Sequence, residues 1–295
     1  MEVSSWIGRP LTFRLTNSTT FTKPERHVSG NAEQAKVPPR MSGEILRRLV
    51  LAATIVLLAA GSLSGSGVSL QTFIEGIPSI LSLARDMWPP DFRRIDSIAH
   101  AIFVTLQIAV AGTFLGLCGS LLAGVLGSRH QSPSAWLRVL VKVMLAGVRT
   151  IPELLWALLF VVSVGPGAFA GVLAICMDTL GFAGRFFAEA LDDVDSDPQA
   201  ALLVHGASRS LVLFGVVFPL AMPSLLHTSL YSLERAIRAS VVLGVVGAGG
   251  IGIELKVAMD LFQYRKAAAM VICILVVVVA VEAFGTWARL QLRPK

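Results

Sequence analysis

Charged residues are scarce in this chain of 295 residues. Asp, Glu, Lys and Arg together make up 15% of it, whereas soluble domains contain roughly 25%. Hydrophobic residues make up 54%, and the mean hydropathy is +0.72. This composition excludes an ordinary soluble domain and predicts a polytopic membrane protein.

Several catalytic and binding motifs are also missing. Neither GxxxxGKS nor GxxxxGKT occurs, so the chain cannot build a P-loop and does not hydrolyse ATP by that route. There is no Ser/His/Asp set or paired carboxylate arranged for catalysis, and the dispersed basic residues lack the interleaved aromatic residues of a nucleic-acid site. We therefore predict no enzyme activity, no catalytic residue, no metal and no nucleic-acid partner. The cysteines lie in apolar stretches without metal-ligand spacing, and we expect packing roles for them: Cys118, Cys176 and Cys273.

Stretches that are apolar enough to cross a bilayer recur along the chain. A crossing takes about 20 residues as a helix, and six stretches meet that length. We predict the six spans at residues 49–70, 97–128, two within 136–184 divided by Gly165, Pro166 and Gly167, 211–231 and 267–287.

The basic residues near the two ends of the chain indicate the orientation. Segments rich in Lys and Arg stay on the cytoplasmic side, so six spans with both termini in the cytoplasm fit the sequence. Residues 129–138 and the loop around Asp197 are then cytoplasmic too. Four basic residues would lie outside, against this rule: Arg93, Arg94, Arg265 and Lys266.

The chain divides into four regions. Residues 1–42 are rich in Ser, Thr, Pro and basic residues and are predicted to be a disordered cytoplasmic tail, with an amphipathic tail on the lipid surface as the alternative. Residues 43–69 hold the first transmembrane helix. Residues 70–92 place apolar side chains near helical spacing, which predicts an amphipathic helix lying flat at the interface. Residues 93–295 form the helical core, with two features of interest: a polar loop at 195–210 and a Gly-rich turn at 244–252.

The polar loop reads as a helix, a turn and a second helix. Asp197 and Pro198 are a helix-start signal, an acidic cap followed by proline at the first helical position. Gly206 breaks the helix, and Arg209 opens a new apolar run. Such a polar segment is a place for a soluble partner to bind a membrane protein. The new run contains two prolines that would kink it in lipid: Pro219 and Pro223.

The spacing of small and apolar residues here resembles the EAA loop of ABC-importer permeases. That loop reads Glu-Ala-Ala, three residues, Gly, nine residues and then Ile-x-Leu-Pro. Ala200 stands where the usual glutamate would be, so docking of a partner must depend on shape, on Arg209 and on Gln199 or Asp197. The matching positions are Ala200, Ala201, Leu202, Gly206, Val216, Phe218 and Pro219.

The Gly-rich turn matches GxGxxG without the setting of a dinucleotide site. A dinucleotide fold needs an acidic residue about 20 positions further on, and residues 270–275 are uniformly apolar. Glycines allow sharp turns and close approach of backbone. The turn therefore predicts a lining of a pore or close packing at a subunit contact. Its candidate residues are Gly247, Gly249, Gly250 and Gly252.

Charged side chains within the spans are the second group of candidates. Arg149 and Glu153 are four residues apart, as are Glu234 and Arg238, so each pair is expected to share a helix face. They either offer an anion a path or simply neutralise each other. Arg235 has no partner four residues away, which favours a path role. A further pair is structural or belongs to the cytoplasmic mouth: Arg185 and Glu189.

Four stretches together resemble the permease subunit of bacterial phosphonate importers of the ABC type. They are RTIPELLWALLFVVSVGPGAFAGVLA from Arg149, GRFFAEALDDVDSDP from Gly184, HGASRSLVLFGVVFPLAMP from His205 and LYSLERAIRASVVLGVVGAGGIGIEL from Leu230. The resemblance covers residues from about 70 to the C-terminus. It implies an all-α polytopic fold of the type I importer class with about six transmembrane helices and a cytoplasmic coupling helix, in the bacterial cytoplasmic membrane.

The resemblance also implies partners and roles. Two copies of the chain would pair around a path for phosphonate, surrounded by membrane lipid, and two ATPase subunits would bind the ATP and Mg while this chain binds no cofactor. An extracytoplasmic phosphonate-binding protein would deliver the substrate. The residues expected to couple the permease to the ATPase are Asp197, Pro198, Gln199, Ala200, Ala201, Gly206, Ala207, Ser208 and Arg209. The residues expected to line the translocation path are Arg149, Glu153, Glu234, Arg235, Arg238 and the four glycines of the turn.

Three alternatives stay open at this point. The importer could carry phosphite, phosphate or methionine, although methionine would need few cations along its path. A secondary transporter working alone predicts a repeat between the two halves, and none is visible in the sequence. A membrane enzyme comes third, since no nucleophile and base support it.

Overall fold

The computed structural model describes residues 43–65, 67 and 70–291, and every regular element in these residues is helical. The chain separates into two compact units, residues 1–69 and residues 70–295. The predicted tail at 1–42 lies outside the described residues. The first unit contains α1 (Gly43–Gly65), whose 23 residues span about 34 Å at 1.5 Å per residue. It is long and apolar enough to cross a membrane, and it lies within the predicted region 43–69.

The second unit begins with α2 (Leu70–Asp86), which matches the start of the predicted amphipathic helix. It ends at Asp86 rather than near residue 92, and large apolar side chains such as Phe73, Ile77 and Leu81 are exposed along it. The remaining elements are α3 (Ile95–Gly127), α4 (Ala135–Thr150), α5 (Glu153–Val164), α6 (Ala168–Asp192), α7 (Ser196–Val204), α8 (Arg209–Val212), a π-helical turn (Leu213–Val217), α9 (Phe218–Val245), α10 (Ile251–Asp260) and α11 (Tyr264–Gln291).

Close packing of α3 against α6 forms the centre of this unit. Glycines on α3 let the two backbones approach, as small residues do between membrane helices. A Cβ atom added at Gly112 would lie 2.7 Å from the Cβ of Ile175, and one added at Gly116 would lie 2.6 Å from the Cβ of Thr179. Both distances are below contact distance, so glycine is required at this interface.

The third predicted span is broken. Residues 136–164 were expected to form one helix, but α4 and α5 meet at an angle of 86°. Pro152 stands at the break, and proline disfavours helical backbone in the residue before it. Five helices in the described residues are long and apolar enough to cross a membrane, and the bent pair makes a sixth only if it is counted as one span.

The spans predicted at 97–128 and 267–287 agree with α3 and α11 to within four residues, whereas α1 begins and ends earlier than the predicted 49–70 and α6 continues past 184 to Asp192. Gly165 and Gly167, both at positive φ, separate α5 from α6 as expected. The fifth span runs from Arg209 to Val245, well past the predicted 211–231. The π-helical turn ends two residues before Pro219, and the Phe218 N–H donates to the Leu213 carbonyl, five residues earlier.

Candidate functional site

The polar loop folds into α7, a turn and α8, as the sequence predicts, but its cap lies two residues earlier. The Asp195 side chain, not that of Asp197, caps α7, since it accepts a hydrogen bond from the Asp197 N–H at 3.2 Å. An N-cap must precede the N–H group that it satisfies. Pro198 therefore stands at the third helical position, where a missing N–H group costs nothing.

Gly206 ends α7 in the way that the sequence indicates. It adopts φ of +80°. Its N–H donates to the Leu203 carbonyl at 3.0 Å, and the Ala207 N–H donates to the Leu202 carbonyl at 3.1 Å, which is the Schellman arrangement. The Ser208 hydroxyl then caps α8 by accepting from the Leu211 N–H at 3.3 Å. The turn is thus locked by glycine and two caps.

Gln199 anchors α7 instead of facing outward. It is buried, with 8% exposure. Its side-chain NH2 group donates to the Val194 and Asp195 carbonyls at 3.3 and 3.1 Å, and its Oε1 accepts from Gln131 at 3.3 Å. The suggested contact of Gln199 with a docked partner is therefore corrected to a contact within the chain, which joins α7 to the loop between α3 and α4.

The remaining candidate residues of the coupling segment (195–210) lie on the surface. Ala207 is half-buried, and the others are exposed: Asp197, Pro198, Ala200, Ala201, Gly206, Ser208 and Arg209. Two apolar neighbours that are not among the predicted coupling residues are exposed as well. The exposed fraction is 50% for Leu203 and 85% for Val204. The segment thus presents an apolar surface flanked by a single cation, Arg209. Leu203 and Val204 stand in a run of apolar residues, and such a run in the sequence does not distinguish an exposed helix face from a buried one.

The Gly-rich turn packs tightly against its own chain. The Gly247 carbonyl accepts from the Gly167 N–H at 2.9 Å, and the Ile251 N–H donates to the Thr105 hydroxyl at 2.8 Å. A Cβ at Gly249 would lie 2.9 Å from the Ala168 nitrogen. Gly249 and the following Gly252 are buried, and Gly247 and Gly250 are half-buried. A Cβ at Gly250 would likewise clash with the Thr105 side chain. Close packing within one chain thus explains three of the four glycines, Gly249, Gly250 and Gly252, and a lining role for the turn stays a prediction.

Arg235 is held by carboxylates from two other helices. Its Nη2 lies 2.7 Å from Oδ1 of Asp178 on α6 and 3.7 Å from Oε2 of Glu153 on α5. Its guanidinium carbon also lies 5.1 Å from the centre of the Phe182 ring. The predicted pairing of Arg149 with Glu153 is wrong, because the 86° break turns the two side chains away from a common helix face. Asp178 was missed, although a single carboxylate within an apolar span is a signal of a buried partner.

The second cluster joins α9 to α11. The expected Glu234–Arg238 pair is confirmed at 3.1 Å. Glu234 also accepts from Arg289 at 2.8 Å, and Arg238 pairs with Glu282 at 2.6 Å. Glu282 and Arg289 lie more than forty residues after their partners Arg238 and Glu234, so helical spacing could not reveal these two contacts. We call these four residues the α9–α11 network.

The two clusters leave no uncompensated positive charge on α9. Arg235 faces two carboxylates, and the two arginines of the α9–α11 network face two more. An anion that met Arg235 or Arg238 would have to displace a carboxylate.

Uncompensated cations occur in a different place, on the groove between α4 and α6. A cavity of about 510 Å³ there is lined by Arg149, Lys142 and Arg185, with Thr150 and Glu189 beside them. Arg185 and Glu189 form the expected pair at 2.8 Å. Within the described part of the chain, Lys142 and Arg149 make no ion pair. We call this cavity the α4–α6 cleft.

The four basic residues that break the orientation rule lie together. A polar cavity of about 660 Å³ at the turn between α10 and α11 is lined by all of them, along with the carboxylates of Asp86 and Asp91. The Asp91 N–H donates to the Arg265 carbonyl at 3.0 Å, and the Arg265 side chain donates to the Pro89 carbonyl at 3.1 Å. The four residues are Arg93, Arg94, Arg265 and Lys266.

Comparison with known proteins decides the family. Residues 116–293 match the family described as binding-protein-dependent transport system inner membrane component, and this match covers more than half of the chain. The chain belongs to that family. It is therefore a multi-pass permease of the inner membrane that works with an ATPase and a substrate-binding partner, and ATP is hydrolysed by the separate subunit.

The permease has several relatives at moderate identity. It is 38% identical to the phosphite transport system permease protein PtxC of Stutzerimonas stutzeri over 72% of this chain and 78% of the relative. Identity to the putative phosphite transport system permease protein HtxC of the same organism is 35%, over 73% and 76%. The phosphate-import permease protein PhnE of Mycolicibacterium smegmatis is 34% identical over 76% of this chain, which spans only 42% of that longer protein.

Solved structures show that the permease has the type I importer fold. The inward-facing MetNI methionine ABC transporter superposes with a TM-score of 0.56 at 21% identity, covering 67% of the permease and 96% of that chain. A bacterial ABC transporter that imports the acidic polysaccharide alginate gives a TM-score of 0.57 at 15% identity, over 85% and 99%. The predicted all-α fold and permease class are thus confirmed.

Proposed function

We propose that this permease forms the path for phosphonate uptake across the inner membrane. The similarity to permeases named for phosphite and phosphate is the observation that carries this proposal. Two further relatives, 35% identical over shorter stretches, are named as cryptic phosphonate permeases of Escherichia coli. All of these solutes are small phosphorus oxyanions, and the cations on α4, α6 and α9 suit such an anion.

Phosphite is the second candidate substrate. PtxC and HtxC, both named for phosphite transport, are 38% and 35% identical to the permease over more than two thirds of its length. A permease named for D-methionine in Vibrio cholerae is 24% identical over only 40% of this chain. The substrate class is therefore a phosphorus oxyanion, and phosphonate and phosphite differ only in what the phosphorus carries.

The proposed assembly contains two copies of the permease and two ATPase subunits. The ATPases bind ATP and Mg, and each receives one coupling segment through the exposed surface around Ala201 and Val204. An extracytoplasmic phosphonate-binding protein delivers the substrate. Both termini lie in the cytoplasm, so the polar cavity at the turn between α10 and α11 faces the outside.

The path follows the charged clusters of each copy. Arg149, Glu153, Arg235 and the Glu234–Arg238 pair line it, together with the half-buried edge of the Gly-rich turn at Gly247 and Gly250. An oxyanion moves past Arg235 and Arg238 by exchanging places with their carboxylates. Because each carboxylate competes for the same guanidinium, the oxyanion is released readily.

Uptake in cells tests the proposal. A strain without other phosphorus-oxyanion importers, but able to convert methylphosphonate and phosphite to phosphate, carries the permease with its neighbouring ATPase and binding protein. It is grown on methylphosphonate, phosphite or phosphate as the only phosphorus source. Growth on methylphosphonate that needs all three proteins supports phosphonate. Growth on phosphite alone would replace phosphonate by phosphite, and growth on none would refute the substrate class.

A further inference from the structure

The basic residues of α4 lie on one face of the helix. At 100° per residue, Arg138, Lys142 and Arg149 fall within an arc of about 40°. Leu145 lies 20° beyond one edge of that arc and is buried against α6, where a Cβ added at Gly184 would lie 2.9 Å from its Cδ2 atom. Leu145 therefore packs on α6, and the exposed Lys142 and Arg149 border the groove between the two helices.

Glycine on α6 brings this face close at the level of Arg149. A Cβ at Gly181 would lie 3.2 Å from the backbone nitrogen of Arg149. Arg185 is one helical turn further along α6 and lines the same cleft. Lys142, Arg149 and Arg185 against the single carboxylate of Glu189 leave a formal charge of +2 in a cavity of about 510 Å³.

Such a charge has no structural compensation in the described residues. Ionisable side chains in membrane spans are costly, and those that persist pair with an opposite charge or face water. The clusters around Arg235 and Glu234 are balanced by carboxylates from neighbouring helices, whereas this cleft is not. An anion in the cavity would supply the missing counter-charge.

We propose that the α4–α6 cleft binds a phosphorus oxyanion through Lys142, Arg149 and Arg185, at a site separate from Arg235 and Arg238. The class of occupant rests on the proposed function. Arginine offers paired N–H donors that match two oxygens of a phosphorus oxyanion, and lysine adds a point charge. The same chemistry would hold the phosphate of an anionic lipid, so the oxyanion comes either from the transported solute or from a lipid headgroup.

Protection of Lys142 from an amine-modifying reagent tests this site directly. The full-length permease, with whatever ATPase copurifies and without nucleotide, is placed in nanodiscs of phosphatidylcholine. Modification of each lysine is followed by mass spectrometry with methylphosphonate, phosphite or phosphate added, and with chloride as the control anion. Lys256 on α10 is exposed and outside the cleft, and it serves as the internal control.

We expect each phosphorus oxyanion to slow modification of Lys142 while Lys256 reacts unchanged. At ten times the dissociation constant the slowing is about tenfold. Arg149→Gln and Arg185→Gln should each raise the half-protecting concentration about tenfold, because each removes a charge-assisted hydrogen bond. Arg48→Gln on α1 is the matched control and should leave protection intact.

Nanodiscs of phosphatidylglycerol separate the two sources. Protection of Lys142 there without added solute, and unaffected by phosphate, assigns the cleft to a lipid headgroup. Protection by free oxyanion in phosphatidylcholine assigns it to the solute. No protection in either membrane overturns the proposal. That result is distinct from failure of the proposed function, which is read from growth on phosphonate and does not depend on Lys142.

Discussion

Arg235 on α9 lies 2.7 Å from Asp178 on α6, and this ion pair joins the two helices through residues that are 57 positions apart in sequence. The side chains are 33% and 19% exposed, so the pair is partly shielded from water. Glu153 approaches the same guanidinium from α5, at 3.7 Å. The pair therefore sets the arrangement of three helices at the broken span.

Asp178→Asn should destabilise the permease by roughly 1.5–3 kcal/mol, the range for a hydrogen bond to a charged group. The substitution leaves Arg235 with only the more distant Glu153. Thermal unfolding of the purified protein in detergent measures the loss. Asp193→Asn, in an exposed position after α6, is the control and should change little. If Asp178→Asn were as stable as the control, the Arg235–Asp178 pair would not contribute to the stability of the permease.

Gly116→Ala should destabilise the contact between α3 and α6. Its Cβ would lie 2.6 Å from the Cβ of Thr179, and neither atom can move without moving a helix. Overpacking of this kind costs roughly 1–3 kcal/mol. Gly147→Ala, where nothing lies within 4 Å, removes only the flexibility of a helical glycine and should be neutral or stabilising. Equal melting temperatures for the two variants would contradict the packing described here.

Ala201→Asp should abolish copurification of the ATPase while the permease still inserts. Ala201 is exposed on α7, so the new charge does not disturb the fold and meets only a docked partner. Val204→Asp should act in the same way, because Val204 is 85% exposed. Gln263→Asp, exposed at the turn before α11, is the control. Unchanged copurification with both aspartates would mean that the ATPase docks elsewhere.

Arg238→Gln should lower phosphonate uptake about tenfold, the cost of one charge-assisted hydrogen bond, with a smaller effect on basal ATP hydrolysis. Arg289→Gln is the matched comparison, since Arg289 pairs with the same carboxylate, Glu234. It lies outside the proposed path, and we expect it to lower uptake and hydrolysis together. If Arg238→Gln also lowered both equally, the α9–α11 network would be structural only.

The sequence predicts local features of the permease well and long-range ones poorly. Gly206 could be recognised as a helix end because its cause, a positive φ, is local. The Glu234–Arg238 pair follows from helical spacing in the same way. The partners Asp178 and Glu282 depend on how helices pack, which no spacing encodes.

The errors also have physical causes. Arg149 and Glu153 have the right spacing for a pair, but Pro152 between them breaks the helix, and the pattern was applied across that break. The sequence predicts Gln199 as a docking contact because polar residues in a polar loop are usually exposed. Its amide instead replaces water with two backbone carbonyls and Gln131. Lys142 is not predictable as a site residue from the sequence, because the cavity that it lines forms only when α4 packs beside Arg185 on α6.

ATP hydrolysis by the reconstituted assembly tests the central claim most directly. The permease, its neighbouring ATPase and its binding protein are placed in liposomes, and hydrolysis is measured with methylphosphonate, phosphite, phosphate and methionine in turn. We predict stimulation by the phosphonate-loaded binding protein and none by methionine. Stimulation by methionine alone, or no dependence on the binding protein, would contradict the assignment of this permease to phosphorus-oxyanion import.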